Sequence, residues 1–149
     1  MDYHQTLTSA KAFADHGKLE EWVHRYLLSD GNNQAFSDGL KLVERTYFGP
    51  LKMPLSHLSR CCGPEESMKW RVDRDGFENR VSKLMDVISN NVDLPPLIVN
   101  FSTHGFELND GNHRFEAYKR LGVKEVDVII WITESQDRDR FMALYSEYF

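Results

Sequence analysis

Apolar residues recur at helical spacing in the first third of the chain and at strand-like density further on. Leu19, Trp22, Val23, Tyr26 and Leu27 fall at i, i+3, i+4, i+7 and i+8, a single stripe that predicts a helix. Before it, Ala10, Phe13 and Ala14 predict a shorter helix with Thr8 as its cap and His16-Gly17 as its end. After it, Ser29 to Asn33 breaks the pattern, and Phe36, Leu40 and Val43 suggest a third helix. Leu51-Lys52-Met53, between Pro50 and Pro54, reads as a short edge strand, because each proline removes a ladder donor. Arg60 to Pro64 reads as a loop. Asp75 and Glu78 stand at capping-box spacing and open a helix whose Phe77, Val81, Leu84, Met85 and Ile88 should face the sheet. Asn90-Asn91 ends it, and Pro95-Pro96 forces extended chain into the strand Leu97 to Phe101. A second β-branched run, Val126 to Ile132, is the other strong strand. A last helix is predicted with Ser135 as cap and Phe141, Leu144, Tyr145 and Tyr148 as its stripe.

Between these two strands lies FELNDGNHRFEAYKRLG, residues 106–122. Phe106 to Leu108 ends a strand, Asn109-Asp110-Gly111 is a tight turn, and Asn112 to Leu121 is a helix closed by Gly122. Phe115, Tyr118 and Leu121 are expected to pack inward, Ala117 to approach the sheet, and Glu116 and Arg120 to form an exposed pair. A helix start carries unpartnered amides and a partial positive charge, so phosphate or carboxylate is favoured there. Gly111 lets a ligand approach the backbone, His113 and Arg114 supply donors, and Asp110 can cap the helix or hold a Mg²⁺. From the residues alone, a plain cap with His113 and Arg114 in solvent explains the pattern equally well.

Composition narrows the chemistry. At 149 residues, 41% of them hydrophobic, the chain has the length of one domain and enough apolar mass for one core. A net charge of -5 argues against a broad phosphate-binding surface, and the basic cluster Lys119, Arg120 and Lys124 is diluted by Glu116 and Glu125, so nucleic acid is a weak expectation. Arg71, Arg74 and Arg80 gather near the start of the helix that Asp75 opens, and by themselves they read as a solvated face. Cys61 and Cys62 are adjacent, lack C-x-x-C spacing and have no histidines at zinc-ligand spacing, which fits a reducing cytoplasm. No signal peptide and no run near the ~20 apolar residues of a membrane span is expected.

DGNHRFEAYKRLG resembles the signature of the ParB/sulfiredoxin superfamily, in which a strand, a turn and a helix ending in Leu-Gly bind nucleotide phosphates. Leu94 to Val99 resembles the family's strand entry and Val126 to Trp131 its following strand, so the likeness runs from about Tyr47 to Ile132. It implies an α+β fold, a small mixed sheet flanked by helices, with residues 1–46 as a helical N-terminal extension packed on the core and 47–149 as the ParB/sulfiredoxin-like domain. It also implies a nucleotide, ATP or CTP with Mg²⁺, close enough to the helix that Asp75 opens for one of Arg71, Arg74 and Arg80 to reach a phosphate. Its phosphates would lie at Gly111, Asn112, His113 and Arg114, with His113 and Asp110 in the catalytic roles and Asp110 or Glu107 at the metal. Two departures limit the activity. Asn112 stands where sulfiredoxin has its catalytic cysteine, and about 27 residues follow Gly122, too few for the helix-turn-helix domain of a DNA-partitioning ParB.

Two functions follow. One is an NTP-dependent phosphotransferase or NTPase acting on a small-molecule acceptor. The other is a non-catalytic, nucleotide-responsive module that holds a protein partner or a second copy, with a DNA-associated role as a weaker option.

Overall fold

The computed structural model describes residues 1–148. Three helices come first: α1 Leu7–Asp15, α2 Leu19–Leu28 and α3 Gln34–Leu40. They are followed by strands β1 Thr46–Pro54, β2 Leu58–Arg60, β3 Cys62–Gly63 and β4 Trp70–Arg71, then α4 Arg74–Ser89. The chain continues through β5 Leu97–Ser102, β6 Gly105–Asp110, α5 Asn112–Arg120, β7 Glu125–Ile132 and α6 Ser135–Tyr145. The fold is α+β. Five strands form a mixed sheet in the order β1-β7-β5-β6-β2, and β3 pairs with β4 in a separate short ribbon.

Period-2 alternation in β5 and β7 divides the core into two layers. Val99 and Phe101, with Val128 and Ile130, face a core that includes Phe115 of α5 and Phe141 of α6. Ile98 and Ile129 point the other way and meet Phe13, Trp22, Val23 and Leu27 from α1 and α2. The N-terminal helices thus cover the face of the sheet that carries Ile98 and Ile129. β1 is an edge strand, antiparallel to β7, and it is longer than the prolines suggest because it runs past Gly49-Pro50 with a register shift.

Several local expectations are corrected. Thr6, not Thr8, caps α1 by accepting from the Ser9 amide at 3.1 Å, while the Thr8 hydroxyl donates to Asp93. Asp73, not Asp75, caps α4 through the Gly76 amide at 2.8 Å, and Glu134, not Ser135, stands at the α6 cap position. Val43 lies beyond α3 and is exposed, as are Leu121 and Leu144. The stretch read as a loop, Arg60 to Pro64, holds the last residue of β2, which is parallel to β6, and all of β3, parallel to β4, strands too short to show alternation. Phe77 and Val81 of α4 pack on Ala117 of α5 rather than on the sheet. Arg120 reaches across this helix pair to both oxygens of Glu78 at 2.6 and 2.9 Å, so Glu116 and Arg120 belong to an interhelical network and Glu116 is largely covered. Among the described residues no helix is long and apolar enough to cross a membrane.

Candidate functional site

Gly111 makes the turn from β6 into α5 with φ +97°, a conformation that L side chains rarely adopt, and a Cβ there would collide with Leu97 and the Arg114 guanidinium. No side chain caps α5. Its first amides, those of Asn112, His113 and Arg114, therefore open on a cleft of about 700 Å³, inside the size range of small-molecule sites. The α2–α3 segment forms one wall with Asp30, Asn33 and Phe36, the β4 region another with Lys69 and Trp70, and α4 contributes Arg80.

The predicted residues line this cleft together, but they are not alike. Arg114 is mostly covered, and its guanidinium donates to Asp110 at 3.2 Å, to the Tyr26 hydroxyl at 3.2 Å and to the Pro96 carbonyl at 3.4 Å. Burial disfavours its charge, and Tyr26 and Asp110 outweigh that cost, holding its pKa above the ordinary value. Arg114 is thus an anchor of the turn. Asn112 is buried. Its Oδ1 accepts from the amides of Cys61 and Cys62 at 3.0 and 3.1 Å, and its Nδ2 faces the Leu108 carbonyl at 3.4 Å. Only its main chain is left for a ligand.

His113 sits half-buried against the Phe77 ring, with centroids 4.9 Å apart. Burial first, then the charges of Arg80, Arg114 and Arg60, lower its pKa to about 4, so it is a neutral imidazole at pH 7. Asp110 is engaged by Arg114, and Glu107 by Asn109 at 3.0 Å and Lys69 at 3.7 Å. Among the described residues no three His, Cys, Asp or Glu side chains are arranged to hold a metal ion.

Arg80 is the residue the sequence left open. Of the three arginines near the start of α4, it alone lines the cleft, and its side chain has no hydrogen bond or ion pair among the described residues. Arg71 instead donates to the Pro64 carbonyl. Arg60, which the sequence did not single out as a site residue, lies over the Phe77 ring at 5.0 Å and pairs with Glu65 at 2.7 Å. Burial raises the pKa of both Cys61 and Cys62, outweighing Arg60 beside Cys62, and the Cys61 thiol donates to the Leu108 carbonyl at 2.8 Å. Neither is poised as a thiolate.

No curated protein matches the chain. Among solved structures it is similar to a sulfiredoxin from Arabidopsis thaliana, at 22% identity over 66% of this chain and 97% of that one, with a TM-score of 0.41. It is similar also to the C-terminally truncated chromosome-partitioning protein ParB from Caulobacter crescentus. In complex with CTP-gamma-S the match is 18% identity over 68% of this chain and 53% of that one, TM-score 0.44. In complex with the centromeric parS site it is 20% over 58% and 41%, TM-score 0.40. The chain thus spans nearly all of the sulfiredoxin and about half or less of the ParB chains. The family model of the ParB N-terminal domain matches residues 68–147, from just before β4 through α6. With more than half of its length inside that match, the chain belongs to the ParB N-terminal domain family.

Proposed function

We propose that this protein is a cytoplasmic nucleotide-binding protein whose cleft takes a nucleoside triphosphate, ATP or CTP, with the phosphates at the start of α5. One observation carries the reading: the uncapped amides of α5 and the unpartnered Arg80 face the same cleft. Six charged side chains line that cleft, and they are unevenly committed. Asp110 pairs with Arg114 and Glu107 with Lys69, while Asp30, on the far wall, accepts from the Tyr3 hydroxyl at 2.8 Å. The cationic end is therefore at α5 and Arg80, where a phosphate gains backbone dipoles and a guanidinium together. The neutral His113 adds a ring N–H or a lone pair there without adding a charge. The ParB of known structure bound to CTP-gamma-S is consistent with this class of ligand.

Contacts within the protein weigh against the metal assignment. Asp110 and Glu107 are spent on Arg114, Asn109 and Lys69, so no step is routed through Mg²⁺ held by the protein. Positioning and charge neutralisation are most of what phosphoryl transfer requires, so a phosphotransferase or NTPase and a nucleotide-responsive switch share this site.

The test is calorimetric titration of the wild type and Arg80→Ala with ATP, CTP, GTP and UTP, followed by product analysis after long incubation. The expected result is binding of at least one nucleotide that Arg80→Ala weakens without lowering the melting temperature. Absence of binding by all four overturns the reading. Product separates enzyme from switch, and added DNA duplex tests whether the parS-bound relative has a counterpart in this protein.

A further inference from the structure

Among the described residues, Trp70 is the most exposed large aromatic. Its indole is 63% exposed, and it lines the same cleft as the start of α5. Of the three tryptophans, Trp22 is fully buried and Trp131 is packed against Phe36, which leaves Trp70 as the one that stands exposed at the cleft. Its backbone is nevertheless fixed. The Trp70 amide donates to the Cys61 carbonyl at 2.8 Å, and the Val72 amide to the Gly63 carbonyl at 3.0 Å. Cys61 and Cys62 are in turn held by Asn112, the first residue of α5. Two hydrogen-bonded steps therefore set the indole in register with the amides at the proposed phosphate pole.

We infer that Trp70 is the stacking platform for the base of the nucleotide bound in this cleft. The inference rests on the nucleotide reading and adds the part of the ligand that the phosphate pole does not touch. Every nucleobase has a π-face, so such a platform favours nucleoside triphosphates over inorganic triphosphate while discriminating little among bases.

Wild type, Trp70→Ala and Trp70→Phe are titrated with CTP, ATP and inorganic triphosphate, by calorimetry and by quenching of tryptophan emission. The expected result is quenching of the wild type by nucleotides and an affinity loss of about tenfold or more for both nucleotides in Trp70→Ala. Trp70→Phe recovers most of that loss, and inorganic triphosphate binds all three proteins equally. Melting temperatures stay level, because an exposed ring contributes little to the core. Unchanged nucleotide affinity in Trp70→Ala, or an equal loss for inorganic triphosphate, overturns the platform and leaves the phosphate site standing. If neither nucleotides nor inorganic triphosphate bind the wild type, both readings fall.

Discussion

The hydroxyl of Tyr26, in the middle of the N-terminal helices, accepts a hydrogen bond from Nη1 of Arg114 at 3.2 Å, 88 residues further along the chain. That contact ties the family-type turn to a part of the chain that lies outside the family match. Tyr26→Phe removes one hydrogen bond and keeps the stack on Trp22, so a loss of about 1 kcal/mol is expected by urea denaturation. Arg114→Ala leaves Asp110 covered and unpaired, and a loss of about 3–5 kcal/mol follows. Equal effects of the two substitutions contradict the anchoring role of Arg114.

Asn112→Ala deprives two amides, those of Cys61 and Cys62, of their acceptor. Each buried donor left unsatisfied costs about 1–3 kcal/mol, so the melting temperature should fall by roughly 5 °C or more. Hydrogen exchange at those amides should accelerate beyond the global change, and protection retained there would refute the assignment.

Gly111→Ala must place a Cβ at φ +97° against Leu97 and Arg114. The backbone conformation alone costs about 1 kcal/mol or more, and the collision adds to it. Gly17→Ala, at φ +70° with nothing within 4 Å, carries the backbone cost without the collision. Calorimetry should therefore rank Gly111→Ala below Gly17→Ala in stability; the opposite order removes the close approach as a cause.

His113 binds its proton less readily folded, at about 4, than at its ordinary 6.5. The unfolded chain takes up a proton that the folded chain refuses, so this residue's contribution is fully present above pH 6.5 and is lost as pH falls toward 4. Denaturation midpoints of the wild type should drop across that window more steeply than those of His113→Asn. Parallel curves, offset only by the lost contact with Phe77, would show that His113 titrates normally.

What was legible in the sequence follows physical lines. The α2 stripe, the β5 and β7 runs and the Gly111 bend rest on local periodicity and backbone demands, and each stands where expected, although β6 continues through Asn109 and Asp110, which were read as part of the turn. Caps were misplaced by two residues at Thr6 and Asp73, because several oxygen-bearing residues compete there and a distant partner, Asp93, claims Thr8. The strands β2, β3 and β4 exist through pairing and not through pattern. The motif picked out residues that line one cleft, but it did not show which of them are tied down. That Arg114 is tied down while Arg80 is unpartnered depends on α2 and α4 packing around the turn, which no spacing encodes.

The two-sided burial of the sheet also separates the unit of family recognition from the unit of folding. A fragment cut to residues 68–147 would carry the whole signature and lose α1 to α3 and β1 to β3. It would present β7 as a bare hydrogen-bonding edge, and Ile98 and Ile129 as an uncovered apolar face. An open edge beside an apolar face is a template for self-association, so the recognised portion of this protein is expected to aggregate when produced alone.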